Sequence, residues 1–231
     1  MSVPNILATR YASSAMRSIW TPENKIRAER RLWLAVLEAQ ADLGVSFGGD
    51  DPEQVLADYQ AVLDNVDLDS IAEREAVTRH DVKARIEEFN ALAGHEHIHK
   101  GMTSRDLTEN IEQMQVLESL KLVRDKMVAT LNQLSRLAAQ YSDQPIAGRS
   151  HNVAAQVTTL GKRFATTIDE MLVAWEHVSE LIERYPARGI KGPMGTSQDM
   201  LDLLGGDDSK LDDLEHRVAD HLGFNQVLTS T

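Results

Sequence analysis

Apolar residues recur every three or four positions along most of this 231-residue chain, and this spacing predicts helix nearly throughout. The longest pattern follows Gly101 and continues without glycine or proline until Pro145. It predicts a helix over residues 107–141 with a length of about 50 Å. A second long pattern covers residues 153–185, with Gly161 inside it, and predicts another long helix.

Shorter helices are predicted where capping residues precede apolar periodicity. Thr21 and Pro22 are typical of the first positions of a helix, and Gly44 is typical of its end. The shorter helices are expected over residues 22–43, 52–63, 67–75, 82–92 and 209–222. We therefore expect an all-α fold, with a small N-terminal helical domain over residues 1–106 and part of a long-helix bundle over residues 107–231. Because two long rods cannot bury their apolar stripes in a small globule, we expect an oligomeric bundle.

The chain carries a formal net charge of −12 and contains no cysteine. The acidic balance argues against nucleic acid as a partner, and the lack of cysteine excludes disulfides, cysteine-based metal sites and a thiol nucleophile. No apolar run approaches the length of a membrane span, the N-terminus lacks the pattern of a signal peptide, and we expect a cytoplasmic location. A small anionic substrate would need local cationic groups, for which the candidates are Arg10, Arg79, Lys100, Arg105, Arg149 and Lys191.

Four polar clusters lie at the ends of the predicted helices or between them. In the first, Arg10 and Tyr11 can bind a phosphate through a guanidinium fork and a hydroxyl, unless they form an ordinary exposed pair. In the second, His80 lies between Arg79 and Asp81 at a predicted helix start. His80 can position an anionic group, whereas Asp81 can simply cap the helix beside a solvated Arg-His pair.

The third cluster contains the alternating histidines His95, His97 and His99, followed by Thr103 and Ser104. Alternate residues share one face of an extended segment, so the histidines can be interpreted as the metal site of a metal-dependent hydrolase. We favour a site without a metal ion, because no nearby carboxylate ligand is compelling and the segment lies in a predicted loop. The hydroxyls and free amides at the start of the long helix predict an anion site, a helix cap, or both.

The fourth cluster reads Gly-Arg-Ser-His-Asn over residues 148–152, with Gln156 close behind it. His151 lies between the two long helices, where one end of a bundle can form a cleft. A histidine in such a place is suited to act as a general acid, and the alternative is a structural histidine with a satisfied hydrogen bond. No cluster decides the function by itself, and the order of the four is more informative.

The four clusters, in this order and spacing, resemble those of adenylosuccinate lyases. The chain opens with Arg10-Tyr11 and Ile19-Trp20, and residues 78–82 read Thr-Arg-His-Asp-Val. Residues 99–106 are similar to the family's H-x-G-x-T-S-x-D segment, and residues 148–151 resemble its G-R-[ST]-H segment. The wider fumarase/aspartase superfamily shares the T-S segment and the long helices, whereas the first two clusters favour adenylosuccinate lyase over argininosuccinate lyase and fumarase.

The resemblance implies an all-α, fumarase/aspartase-like fold, in which four subunits build a central helical core and each active site draws on three of them. It implies a β-elimination that breaks a C–N bond. Adenylosuccinate gives AMP and fumarate, and succinyl-aminoimidazole carboxamide ribotide is cleaved in the same way. The implied partners are a small anionic nucleotide substrate and other copies of the chain, and we expect no cofactor.

The resemblance also implies roles for residues by their positions in the motifs. His151 resembles the general acid that protonates the departing nitrogen, and His80 resembles its partner histidine, which orients the substrate. Thr103 and Ser104 resemble donors to the succinyl carboxylates, where negative charge builds up after a base removes the neighbouring proton. Contacts to the substrate are implied for Arg10, Tyr11, Arg79, Asp81, His99 and Gln156.

Two departures from the family pattern change the expectation. Ser13 stands where many members carry a second arginine, which leaves one phosphate contact open. The family's base is a serine on a mobile loop that ends in a Met-Pro-x-Lys-x-Asn type of motif, and the 231 residues contain no such motif. We therefore expect the N-terminal half of a lyase, inactive alone and self-associating through unpartnered apolar faces. The alternative is a non-catalytic helical assembly module on the same scaffold.

Overall fold

The computed structural model describes residues 5–229, and most of that range is helical. A short π-helical segment, Leu7–Tyr11, comes first. The α-helices are α1 (Ser14–Ile19), α2 (Pro22–Asp42), α3 (Pro52–Ala61), α4 (Leu68–Thr78), α5 (Asp81–Ala93), α6 (Ser104–Gln140), α7 (Leu160–Arg184), α8 (Gln198–Leu203) and α9 (Asp208–Leu222). Two antiparallel strands, β1 (Pro145–Ser150) and β2 (Val153–Thr159), separate α6 from α7 in the sequence. The predicted helical fold class is confirmed, and the π-helical segment, α1 and α8 are additions to the predicted set.

Helix starts follow the capping signals in the sequence. The Thr21 hydroxyl accepts the Asn24 N–H at 3.2 Å at the start of α2. Asp51 and Asp67 cap α3 and α4 through their carboxylates, and Asp207 caps α9. Because these hydrogen bonds are local, the sequence alone predicts where these four helices begin.

The two longest helices are α6 and α7, with 37 and 25 residues. α6 follows the predicted rod over residues 107–141 closely. α7 is strongly amphipathic, and Gly161 is its buried residue. Within residues 5–229, no helix has both the length and the apolar character that a membrane crossing requires.

The segment around His151 is a hairpin, which corrects the predicted helix over residues 153–185. α7 begins only at Leu160, and Val153–Thr159 pair with β1 instead. His151 and Asn152 connect the strands with φ angles of 49° and 66°, and a two-residue type I′ turn requires such positive values. β-Branched residues are frequent in β2 and favour extended backbone, and asparagine tolerates the left-handed region, so the local sequence did carry the signal.

The described chain forms two compact units. The first combines the described residues up to Val116 with those from Tyr185 onward, and the second comprises Leu117–Arg184. The predicted domains, residues 1–106 and 107–231, stay a prediction, and the compact units have bounds of their own.

Aromatic residues form the centre of the first unit's core. Trp33, Tyr59 and Phe89 are almost completely buried. The Phe89 ring centroid lies 6.2 Å from that of Trp33 and 5.0 Å from that of Tyr59. The Tyr59 hydroxyl lies 2.6 Å from Asn90 Oδ1 and 2.9 Å from the His95 carbonyl oxygen. This polar end of a buried ring anchors the segment after α5 to the core.

Gly161 lies at a close contact between the start of α7 and the end of α6, and we expect Gly161→Ala to destabilise the protein. A Cβ atom there would lie 2.5 Å from the Ala138 carbonyl oxygen and 2.7 Å from that of Tyr141. Both are backbone atoms that cannot move aside, so the methyl group should lower the free energy of unfolding by about 1–3 kcal/mol. Urea unfolding followed by circular dichroism measures this, with Thr167→Ala on the exposed side of α7 as the control. A variant as stable as the parent would contradict the close contact.

Candidate active site

The joint between α4 and α5 carries three predicted site residues. Arg79 ends α4 with a φ of 52°, and His80 is the N-cap of α5, where its Nδ1 accepts the Lys83 N–H at 3.3 Å. Asp81 lies in the first turn of α5 and pairs with Arg85 at 3.0 Å. The N-cap of α5 is therefore His80 and not the predicted Asp81. Because Nδ1 acts as an acceptor, the neutral ring of His80 carries its proton on Nε2.

His99 is largely enclosed by the first unit. Its backbone has a φ of 67°, and the Trp33 Nε1–H donates to His99 Nδ1 at 3.0 Å. An indole nitrogen can only donate, so the neutral His99 ring carries its proton on Nε2. Burial lowers the pKa of His99 to about 4 against the attraction of Asp106, and the nearby charge of His80 adds to the lowering. His99 is therefore a neutral N–H donor at pH 7.

Thr103 and Ser104 are half-buried at the start of α6. The Thr103 N–H donates to Asp106 Oδ2 at 2.9 Å, and the Asp106 N–H donates to the Thr103 carbonyl at 3.0 Å. These two reciprocal hydrogen bonds fix the first turn of the helix. The remaining N–H groups of that turn carry partial positive charge. The two hydroxyls thus stand at a helix end that attracts anions.

Asp106 organises the start of α6, a role that was not predicted from the sequence. It is completely buried, accepts the N–H groups of Lys191 at 3.0 Å and Gly192 at 3.1 Å, and pairs with Arg188. Arg188 also pairs with Glu109 at 2.7 Å. Asp106 was visible as the last residue of the T-S-x-D segment, but these partners lie 82–86 residues away in the chain. The contacts hold the glycine-rich loop over residues 189–196, which carries Lys191 and Gly192, against the start of α6.

Lys191, a predicted candidate for attracting an anion, is engaged within the first unit instead. Its Nζ lies 2.7 Å from Glu215 Oε2, and both side chains are mostly buried. Glu215 Oε1 also accepts the Ile190 N–H at 3.1 Å. The ammonium group therefore stabilises the glycine-rich loop.

His151 and Gln156 belong to the second unit and lie on the β1–β2 hairpin. Both are exposed, with His151 in the turn and Gln156 opposite Gly148 in the strand pair. The Arg149 guanidinium donates to the Asn152 carbonyl at 2.9 Å. This bond braces the turn, so the hairpin presents His151 to the solvent on a defined backbone.

A groove of about 560 Å³ lies beside the hairpin. Its lining includes Gln156 and the cationic side chains of Arg149, Lys162 and Arg163. A concave surface with several positive charges attracts anionic ligands. Lys162 and Arg163 lie in the first turn of α7, and their place at this groove was not predicted, because the expected helix ran through them without a break.

Arg10 and Tyr11 end the π-helical segment Leu7–Tyr11. Both side chains are exposed. Ser13, which stands where many family members carry an arginine, is the N-cap of α1 and accepts the Met16 N–H at 3.2 Å. Ser13 therefore has a structural role, while Arg10 and Tyr11 are accessible to a ligand.

The alternating histidines do not form one metal site. His99 accepts a hydrogen bond from the core, whereas His95 and His97 face Asp50 on the loop before α3. The interpretation of His95, His97 and His99 as a common ligand set is therefore corrected to a pair of histidines with a carboxylate. Local spacing did not reveal Asp50, because it comes from a different segment of the chain.

A family model described as lyase matches residues 8–199 of the chain. The chain belongs to this lyase family. Adenylosuccinate lyase from Saccharomyces cerevisiae is 32% identical to it over 229 residues, and the alignment covers 97% of this chain and 47% of the yeast protein. Adenylosuccinate lyase from Schizosaccharomyces pombe is 33% identical over 228 residues, with the same coverage of 97% and 47%. This lyase chain spans about half the length of the curated relatives that it matches.

A fumarate lyase from Mesorhizobium sp. BNC1 has a similar solved structure, with a TM-score of 0.79. The match covers 95% of this lyase chain and 50% of that protein, at 22% sequence identity. At this identity the likeness concerns the fold, and it confirms the expected helical architecture. All the predicted site residues of this lyase chain lie within the range that the family model matches.

Proposed function

We propose that this lyase chain contributes the N-terminal half of an adenylosuccinate lyase, which eliminates fumarate from adenylosuccinate and from succinyl-aminoimidazole carboxamide ribotide. The proposal rests chiefly on two positioned histidines, because His80 caps α5 through its Nδ1 and His99 accepts the Trp33 N–H through its own Nδ1. These histidines belong to two of the motifs that occur in the order of adenylosuccinate lyases, and Thr103 and Ser104 follow them at the start of α6. The identity to two yeast adenylosuccinate lyases supports the same substrate class.

Thr103 and Ser104 are proposed to bind a carboxylate of the succinyl group. Negative charge builds on that carboxylate when the adjacent carbon loses its proton, so hydroxyl and amide donors stabilise the intermediate more than the substrate. His99 adds a donor without adding a charge, because Trp33 holds its Nδ1 as an acceptor and leaves the proton on Nε2.

The proposed elimination moves two protons and breaks one C–N bond. A base takes the proton from the carbon next to the carboxylate, the C–H electrons form the double bond of fumarate, and the C–N electrons leave with the nitrogen. Protonated His151 gives its proton to that nitrogen, while His80 orients the substrate. We propose that the base lies outside these 231 residues. The reaction is redox-neutral, so it needs no redox cofactor.

The remaining predicted residues are proposed to contact the substrate. Exposed cationic and hydroxyl groups suit the phosphate and ribose, and amide and carboxylate groups suit the base and its substituents. The residues are Arg10, Tyr11, Arg79, Asp81 and Gln156.

We propose that four copies of the complete protein assemble in the cytoplasm and that neighbouring copies complete each site. Large apolar side chains are exposed on both long helices of the second unit, at Val123 and Val128 on α6 and at Leu172 and Val173 on α7. Exposed apolar surface of this kind favours association, so the 231-residue chain alone is also proposed to self-associate.

Fumarate release measured by absorbance tests the proposal. The purified 231-residue chain is expected to show no turnover with adenylosuccinate, whereas the product of the entire reading frame that contains it should release fumarate. In that product, His151→Gln should lower kcat, and Thr167→Ala on α7 is the control.

Two results would contradict the proposal in different ways. Turnover by the 231-residue chain alone would overturn the placement of the base outside it. No fumarate release by the entire product, combined with stable oligomers, would instead support the non-catalytic assembly module.

A further inference from the structure

Two histidines and an aspartate converge on one point of the first unit, between the loop before α3 and the segment after α5. The ligand atoms of Asp50, His95 and His97 all lie within 4.8 Å of one another. Asp50 Oδ2 is 2.8 Å from His97 Nε2 and 4.0 Å from His95 Nδ1. These separations are close to those between neighbouring ligands of one ion, because zinc binds nitrogen and oxygen at about 2.0–2.2 Å.

The backbone that carries the two histidines is held in place by the buried Tyr59. Its hydroxyl lies 2.9 Å from the His95 carbonyl oxygen and accepts the His97 N–H at 3.2 Å. The Phe47 ring packs against the His97 ring, with centroids 5.1 Å apart. The two imidazoles are thus positioned by core residues and are not merely side chains on a free loop.

A second carboxylate lies behind His95. Asp58 Oδ2 is 2.8 Å from His95 Nε2, so the neutral imidazole carries its proton on Nε2 and donates it to Asp58. The His95 Nδ1 lone pair then faces the Asp50 carboxylate at 4.0 Å. Metal-binding histidines typically donate their other ring N–H to a carboxylate in this way. Two acceptor atoms facing each other are stabilised by a cation between them.

Lys100 gives the site a competing cation. Its Nζ lies 3.0 Å from His97 Nδ1, in an arrangement that leaves the ring proton on Nε2, toward Asp50. A metal ion on Nε2 requires the proton on Nδ1 instead, so Lys100 must turn away. Lys100 is exposed and flexible, so this movement has a small cost.

We propose that Asp50, His95 and His97 bind one divalent transition-metal ion of the zinc class. Two imidazoles and a carboxylate favour Zn²⁺, Co²⁺ or Ni²⁺ over Mg²⁺ and Ca²⁺, which prefer all-oxygen ligands. The ion fastens the loop before α3 to the segment that leads to His99. Its role is structural and separate from the proposed elimination, so the two proposals can fail independently.

Titration of the tag-free 231-residue chain with Zn²⁺ by isothermal calorimetry tests the site, with Mg²⁺ as the comparison metal. One Zn²⁺ per chain is expected, and at about 100 times Kd the ion should raise Tm by roughly 5–10 °C. Asp58→Asn should weaken Zn²⁺ binding by about 10- to 100-fold, and His97→Gln should weaken it by more. Lys100→Met should tighten binding, because it removes the competing ammonium group.

His216→Gln is the matched control, since it removes an exposed histidine on α9 of the same unit. It should leave Zn²⁺ binding unchanged. The opposite effects of His97→Gln and Lys100→Met distinguish a specific site from general unfolding, which would weaken binding in both. Equal binding by the parent and His97→Gln, or equal affinity for Zn²⁺ and Mg²⁺, would overturn the proposal.

Discussion

Asp106→Ala is expected to lower the free energy of unfolding by about 3–5 kcal/mol, the range for removing one partner of a buried ion pair. Asp106 and its partner Arg188 are both buried. The substitution removes the buried carboxylate from the guanidinium, which keeps its pair with Glu109, and leaves the N–H groups of Lys191 and Gly192 without their carboxylate acceptor. Each buried donor that loses its acceptor adds to the cost.

Asp213→Ala provides a matched control, because Asp213 also pairs with an arginine, Arg217, but on the exposed surface of α9. Exposed pairs contribute roughly 0–1 kcal/mol, so this variant should stay close to the parent. Urea unfolding at pH 7 measures both variants. If Asp106→Ala lost no more stability than Asp213→Ala, the buried cluster would not be what holds the glycine-rich loop.

Local signals made most of the helices predictable, and they also explain why a helix was wrongly predicted over residues 153–159. Thr21, Asp51 and Asp67 act within their own helix starts, so the caps and the apolar spacing reveal α2, α3 and α4. Residues 153–159 also contain apolar side chains at helical spacing, but they form a strand because a hairpin turn at His151 pairs them with β1. Cross-strand pairing overrode a pattern that a short segment shares between helix and strand.

The candidate site was predictable as motifs and not as contacts. The Thr-Ser pair at the start of α6 and the location of His80 at a helix start depend on neighbouring residues, which the sequence displays, although the cap itself was wrongly assigned to Asp81. The hydrogen bond from Trp33 to His99 crosses 66 residues, and the Asp106 cluster crosses more than 80. Such long-range partners follow from the packing of helices, which residue spacing does not encode.

Two buried groups in the first unit have pKa values shifted in opposite directions, which predicts opposing effects of pH on stability. Burial raises the pKa of Glu29 from 4.5 to about 7, although Arg85 lies 2.6 Å away and favours the charged form. Burial lowers the pKa of His99 from 6.5 to about 4. Each difference in pKa between the folded and the unfolded chain corresponds to roughly 3 kcal/mol in the free energy of unfolding.

The direction of each effect follows from which state binds more protons. Between pH 4.5 and about 7, folded Glu29 keeps a proton that the unfolded chain releases, so its contribution to stability falls as pH rises. Between pH 4 and 6.5, unfolded His99 binds a proton that the folded ring does not, so its contribution rises with pH. Over the shared range, the two contributions largely cancel in the parent protein.

When either group is removed, the pH dependence that the other group gives to the free energy of unfolding should become measurable. From pH 4.5 to 6.5, the free energy of unfolding of Glu29→Gln should rise relative to the parent by roughly 3 kcal/mol, and that of His99→Asn should fall by a similar amount. Asparagine suits position 99, because it tolerates the positive φ and its Oδ1 can accept the Trp33 N–H in place of Nδ1. Urea unfolding at half-unit pH steps measures the slopes.

Comparison with the parent removes the contributions of all other titrating groups, which the three proteins share. Glu87→Gln on the exposed side of α5 is the control, since Glu87 pairs with Lys83 near the surface and should leave the slope unchanged. If Glu29→Gln and His99→Asn both kept the parent's pH profile, burial would not be shifting the pKa of either group. Opposite slopes of similar size would establish that the pKa values of both groups are shifted in the directions that burial imposes, upward for the carboxyl group and downward for the imidazole.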